Sequence, residues 1–333
     1  MLNTLKTLCK IPSVSGREEK IRETLTSLIA PLCDKVWTDN LGNLIALKKG
    51  CATENKKRIM LCAHMDEIGF LVTFIEESGY IRIAPIGGIN FAAAAYTEVV
   101  SENGVAGVIV PNAETKASEY AASKFYVDIG AKNKKEAERK IKIGDFFVCR
   151  PALTKLMGKR VAGRPLDDRV GCALMLKVAE HFAKNAPADD VYYVFSVQEE
   201  VGCRGAKTAA FGIEADYALV FDVTGTGDTS GAKPMACAVG DGAAIKIKDS
   251  SVICHKDVVD ALINIAKEKK IAHQCEILTY GGTDTSSIQM TGAGAKVGAL
   301  SIPTRYIHTG VELLDLSDAE ACVSLAVAFV ESL

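Results

Sequence analysis

Val191-Tyr192-Tyr193-Val194-Phe195-Ser196-Val197-Gln198-Glu199-Glu200 is the stretch on which the fold turns. Val191–Val197 is rich in β-branched and aromatic residues and reads as a buried strand, ending abruptly on two carboxylates. On either side of it, helix and strand alternate. Val170–Ala183 reads as a helix, Gly205–Phe211 as a short helix and Tyr217–Val223 as a strand. Asp257–Lys269 reads as a further helix, Ala295–Leu300 as a late strand and Ser317–Glu331 as a closing helix. Towards the N-terminus, Ile21, Leu25, Leu28 and Ile29 set a helical spacing within residues 17–30, with Glu18 and Glu19 favouring the first turn. Asn43–Leu47 and Ile59–Ala63 read as short buried strands. This alternation predicts an α/β fold: a mostly parallel sheet flanked by helices on both faces.

From about Val72 to Lys159 the texture changes. Strand-like fragments such as Leu71–Ile75, Tyr80–Ile83, Glu98–Val100, Val105–Val110 and Asp145–Cys149 alternate with Gly and Asn turns. The economical division is an α/β catalytic domain over residues 1–70 and 160–333, interrupted by a small β-rich, barrel- or PDZ-like insert over 71–159.

Composition narrows the function. The 333 residues carry 39 Lys plus Arg against 41 Asp plus Glu, which leaves no basic footprint for nucleic acid or a membrane surface. No secretory signal is visible, and no apolar run approaches the roughly 18 to 20 residues of a membrane span. The 11 cysteines are odd in number and scattered, with no Cys-x-x-Cys pair. They read as reduced, buried thiols, and so as a sign of the cytoplasm.

In open α/β sheets ligands sit beyond the carboxyl ends of the strands. His64-Met65-Asp66-Glu67 follows Ile59–Ala63, and Leu166-Asp167-Asp168-Arg169 follows a turn expected at Gly163. Gln198-Glu199-Glu200 follows Val191–Val197, Asp222 lies near the end of Tyr217–Val223, and Arg305-Tyr306-Ile307-His308 follows the late strand. Each alone has a bland reading: a strand-end histidine is commonly structural, and Asp167-Asp168 could simply cap a helix. Together they converge on one metal site. His181, His255 and His273 lie in polar or charged surroundings and read as structural.

Divided between two ions, His64 and Asp222 hold one, Glu200 and His308 the other, and Asp167 bridges both. Two dications against three carboxylates and a hydroxide sum to zero charge, as a partly buried site requires. Asp66, two residues from His64 on an extended chain, is placed to accept the other ring N–H of that histidine. Glu199 is left to act as general base on a metal-activated water. Imidazole and carboxylate donors suit zinc, cobalt and manganese alike.

The segments His64-Met65-Asp66-Glu67-Ile68-Gly69-Phe70, Asp167-Asp168-Arg169-Val170-Gly171, Gln198-Glu199-Glu200-Val201-Gly202, Asp222-Val223-Thr224, Gly281-Gly282-Thr283-Asp284 and Arg305-Tyr306-Ile307-His308 closely resemble the tetrahedral, or TET-type, metalloaminopeptidases. The resemblance runs nearly end to end. It implies removal of N-terminal residues from short peptides, two zinc or cobalt ions, a cis peptide at Asp167–Asp168, and a homo-oligomer. In that family the β-rich insert carries the dimer contacts and dimers build a twelve-subunit shell. Thr309-Gly310 stands where many relatives have Ser-Pro, a departure that touches a loop rather than the ligands. The motifs by themselves leave a carboxypeptidase or deacylase with the same metal pair open, and they leave the preferred side chain open.

Overall fold

The computed structural model describes residues 1–333. At the centre of the larger body lie Asp190–Ser196, Arg58–His64, Tyr217–Thr224 and Lys296–Arg305, side by side and parallel. Arg58–His64 and Tyr217–Thr224 are buried along nearly their whole length, as strands covered on both faces must be. Parallel neighbours need long crossovers, and Arg169–Lys184, Arg204–Ile213 and Lys256–Glu268 are the crossover helices. Arg169–Lys184 packs with Leu316–Ser332 on one face, and Arg204–Ile213 with Asp284–Gln289 on the other.

Towards its edges the eleven-stranded sheet becomes antiparallel. Lys35–Thr38 and Leu44–Lys48 form a hairpin on one side; Glu312–Asp315, Arg160–Arg164 and Ala152–Lys155 run antiparallel on the other. The parallel arrangement therefore holds at the middle of the sheet, where helices intervene between strands, and gives way at its two sides. Gly163 is part of the Arg160–Arg164 strand and not a turn, and a Cβ there would lie 1.9 Å from the carbonyl oxygen of Ala152. Close pairing, not chain reversal, is why glycine occupies that position.

Gly69–Ile75, Ile81–Ile86, Phe125–Asp128, Ala106–Pro111, Glu98–Ser101 and Phe146–Cys149 close into a six-stranded antiparallel barrel. The barrel has its own core around Phe70, Val99, Phe125 and Phe147, separate from the main core. It ends at Cys149, and Ala152–Lys155 pairs with the large sheet. Ala152–Lys155 thus lies with the larger body, within the segment that the sequence assigns to the insert. Closure leaves the barrel without free edges.

Among the strands that escaped the sequence pattern are Ala243–Lys248 and His273–Ile277. Lys246 and Glu276 interrupt their apolar character, yet both side chains are fully buried and paired with each other. A buried ion pair is invisible to hydropathy.

Phe221 is fully buried on the Tyr217–Thr224 strand, one residue before Asp222. Phe221→Ala is expected to cost about 3–5 kcal/mol by leaving a cavity there. The measurement is urea unfolding, with a lowered midpoint at an unchanged slope; an unshifted midpoint would contradict the described core.

Candidate active site

Every site residue expected from the sequence stands at a strand end or just beyond one. His64 ends Arg58–His64, Asp222 lies two residues from the end of Tyr217–Thr224, and Glu199-Glu200 follow Asp190–Ser196. Ser196 is level with His64 in the parallel register, so these exits open on the same edge of the sheet. Asp167 follows Arg160–Arg164 and lies between cis peptides at Arg164–Pro165 and Asp167–Asp168, and His308 follows Lys296–Arg305. Gln198 and His308 adopt φ of 56° and 60°. That left-handed backbone costs about 1–3 kcal/mol per residue and turns the chain sharply where the ligand side chains must be aimed.

Asp167 is the hub. Its Oδ1 lies 3.0 Å from Nε2 of His64, and its Oδ2 lies 3.3 Å from Nε2 of His308. Asp222 Oδ1 is 3.8 Å from the His64 nitrogen, and Glu200 Oε2 is 3.1 Å from the His308 nitrogen. The two oxygens of one carboxylate therefore each face a separate histidine–carboxylate pair. Glu199 and these groups line one cavity of about 620 Å³.

Asp66 is placed differently from expectation. Nδ1 of His64 bonds the main-chain carbonyl of Asp66 at 3.1 Å, while the Asp66 carboxylate stands 3.6 Å away. That carboxylate instead accepts the amides of Glu199 and Glu200, at 3.1 and 3.3 Å, and the Ser15 hydroxyl at 2.6 Å. A carbonyl can only accept, so Nδ1 carries a proton, and Nε2 is the nitrogen that would coordinate a metal ion. Asp66 thereby orients His64 through its backbone and the Glu199-Glu200 turn through its side chain. Asp168 caps the helix Arg169–Lys184 by accepting the Gly171 amide at 2.9 Å.

The electrostatics call for cations. Burial pushes Asp222, Glu199, Glu200 and Asp168 above the usual carboxylate range. Burial opposes the charge of Asp167 too, but hydrogen bonds with His308 and His64 outweigh it and hold the group below that range. Glu200 Oε1 and Asp168 Oδ2 are buried without a hydrogen-bond partner. Carboxylate oxygens taken out of water and left without donors are costly, and bound cations would satisfy them. Two imidazoles and several carboxylates gathered around the ends of one bridging group fit divalent metal ions.

Several supporting residues were not legible beforehand. Glu312 accepts the amides of Leu166, Asp167 and His308 at 2.7, 3.1 and 3.3 Å and pairs with buried Arg164 at 3.1 Å. One side chain thus fixes the backbone under both Asp167 and His308. Asn43 accepts the Val197 amide at 3.0 Å and donates to Gly205 O at 2.9 Å, securing the Glu199-Glu200 exit. Asp284 accepts from the Ser196 hydroxyl, and the Cys203 thiol donates to Glu199 Oε1 at 3.1 Å. The only sequence signal for any of these was Asp284 within its Gly-Gly-Thr-Asp segment. His181, His255 and His273 lie outside the cavity lining and bond Glu331, the Asp257 amide and Ile271 O respectively.

The family model described as M42 glutamyl aminopeptidase matches residues 42–325. An Acetivibrio thermocellus protein whose description as an aminopeptidase is itself provisional is 43% identical, over 98% of this chain and 97% of its own. The lysyl aminopeptidase of Pyrococcus furiosus is 33% identical, over 99% of this chain and 96% of its own. Among solved structures, the TET1 peptidase of Pyrococcus horikoshii, which can assemble into a tetrahedron or a large octahedral shell, superposes with a TM-score of 0.90. It is 34% identical, over 100% of this chain and 99% of that one.

A site held together by cations should be stabilised by them. Divalent metal in hundredfold excess over its Kd should add about 2.7 kcal/mol per site to folding stability, read as a raised melting temperature that chelator reverses. Asp167→Asn should lower the number of ions counted by native mass spectrometry, because a neutral amide is a poor bridge. An unchanged ion count in that variant would remove the bridging role.

Proposed function

The chain belongs to the M42 glutamyl aminopeptidase family and is an aminopeptidase, and from that premise we propose that it removes N-terminal residues from short peptides through a dinuclear metal site. The observation that carries this reading is the double engagement of Asp167, one carboxylate oxygen to each of two histidine–carboxylate pairs. His64 and Asp222 would hold one ion, His308 and Glu200 the other, and Asp167 both. Zinc or cobalt are the expected ions, with manganese compatible with the same donors. When bound, such ions lower the pKa of a water from 15.7 towards about 7 and polarise the peptide carbonyl.

The chain's own groups do the rest. Glu199 follows the same strand exit as Glu200, and the amides of both residues are anchored on Asp66. Its carboxylate accepts the proton of the attacking water and delivers it to the departing amine nitrogen. The Cys203 thiol steadies Glu199 Oε1. Glu312 and Asp66 hold the turns so that little reorganisation is needed at each turnover.

The proposal extends to a homo-oligomer of dimers forming a twelve-subunit shell, with the barrel Gly69–Cys149 providing the dimer contacts. Similarity to the P. horikoshii peptidase over the full chain supports it. An enclosed cavity would admit peptides and exclude folded proteins. No helix is long and apolar enough to cross a membrane, and the cytoplasm is the proposed location. Analytical ultracentrifugation should give a particle of twelve chain masses; a monomer at micromolar concentration would rule the shell out.

Glu199→Gln is the direct test of the chemistry. It should lower kcat by about 10²–10⁴-fold with metal content unchanged, since an amide cannot carry the proton. Wild-type turnover in that variant would discard Glu199 as the base.

A further inference from the structure

Resting on the aminopeptidase reading, we infer that the pocket for the N-terminal side chain takes uncharged residues, aliphatic ones above all, and rejects acidic and basic ones. The cavity has two dissimilar walls. One is the cluster of His64, Asp167, Glu199, Glu200, Asp222 and His308. The scissile carbonyl must reach that wall, and the first residue's Cα is only one bond from the carbonyl. Its side chain therefore lands on the other wall.

That second wall is formed by segments 223–229, 278–283 and 304–307. Val223, Leu278, Tyr280, Tyr306 and Ile307 supply apolar surface, and its threonines add only neutral hydroxyls. Leu278 is largely buried there, while Tyr280 and Tyr306 stand exposed at 63% and 51%. Among the lining residues of this wall a single one is charged, Arg305.

The charge of Arg305 is matched within the protein. Its guanidinium grips Asp228 in a two-bond fork, Nε to Oδ1 at 3.0 Å and a terminal nitrogen to Oδ2 at 2.5 Å. Asp228 also accepts the Val239 amide at 3.0 Å, which fixes the fork from behind. The pair is mostly shielded, at 18% and 21% side-chain exposure. Fork-to-fork pairing occupies the Nε edge of the guanidinium and neutralises its charge, which weakens it as a partner for a substrate carboxylate. Asp228 is likewise weakened as a partner for a lysine ammonium.

The other cation near this wall is also committed. Lys246 is fully buried and pairs with Glu276, and the Thr224 hydroxyl donates to that same Glu276 at 2.8 Å. Thr224 turns its hydroxyl towards this pair, and Lys246 and Glu276 are fully buried and do not line the cavity. A charged substrate side chain entering here would lose water without gaining a partner, whereas an aliphatic one loses nothing.

The experiment uses the metal-loaded wild-type oligomer and the p-nitroanilides of Leu, Met, Ala, Glu and Lys, with N-acetyl-Leu-p-nitroanilide as control. The kcat/KM for Leu or Met should exceed that for Glu and for Lys by at least about tenfold. Two reciprocal variants probe the cause. Asp228→Asn frees the guanidinium and should raise the Glu-to-Leu ratio of kcat/KM about tenfold, while Arg305→Met frees the carboxylate and should raise the Lys-to-Leu ratio similarly. Ratios within one variant are insensitive to a general loss of active protein, and the wild-type panel stands even where a variant fails to fold. Glu or Lys cleaved as fast as Leu by the wild type overturns the inference and leaves the aminopeptidase intact. Folded variants whose ratios both stay within twofold of wild type overturn the role of the Arg305–Asp228 pair. Hydrolysis of the N-acetylated substrate alone would instead overturn the aminopeptidase reading on which the inference rests.

Discussion

Two histidines competing for the opposite oxygens of Asp167 set the constraint around which the molecule is organised. A single carboxylate can serve two centres only if both approach it from opposite sides at hydrogen-bonding or coordination distance. Those centres come from positions 64, 200, 222 and 308, so distant parts of the chain must be brought to a few ångströms and kept there. A parallel sheet supplies this convergence, because its strands deliver their carboxyl ends to one edge.

The sheet alone would not be accurate enough. The loops beyond strands lack regular partners for their backbone amides, and an ångström of drift would separate the ligands. Buried acids remove that freedom. Glu312 ties Asp167 to His308, Asp66 ties Glu199 and Glu200 to the His64 segment, and Asn43 secures Val197 just before them. Such side-chain-to-backbone bonds in a region of low dielectric are worth more than surface contacts and costly to leave half made. Much acidic charge near the site thus positions other groups, with Arg164 neutralising part of it from beneath.

The same crowding explains why the site is poorly balanced on protein groups alone. Burial drives several carboxylates towards their neutral forms, and some of their oxygens find no donor. Divalent cations would relieve both conditions at once. The neutral second wall of the cavity differs sharply: its one guanidinium is already matched, so its character is set by shape and apolar surface.

Sequence by itself determined the alternation of helix and strand and which carboxylates and histidines stand at strand exits, because periodicity and local composition are properties of neighbouring residues. His64, Glu199, Glu200, Asp222 and His308 were legible since each lies at or beyond an apolar strand pattern, and Asp167 since it opens a helix pattern. The antiparallel edges, the strands around Lys246 and Glu276, the membership of Gly163 in a strand and the divided work of Asp66 were decided by tertiary structure. In each of these the deciding partner lies far along the chain: Lys246 against Glu276, Gly163 against Ala152, Asp66 against the amides of Glu199 and Glu200. Glu312 shows the limit most clearly, since nothing in Val311-Glu312-Leu313 signals a side chain that joins two ligand-bearing loops. A hydrogen bond or ion pair across a folded core depends on distances in space, and those exist only once the chain has closed upon itself.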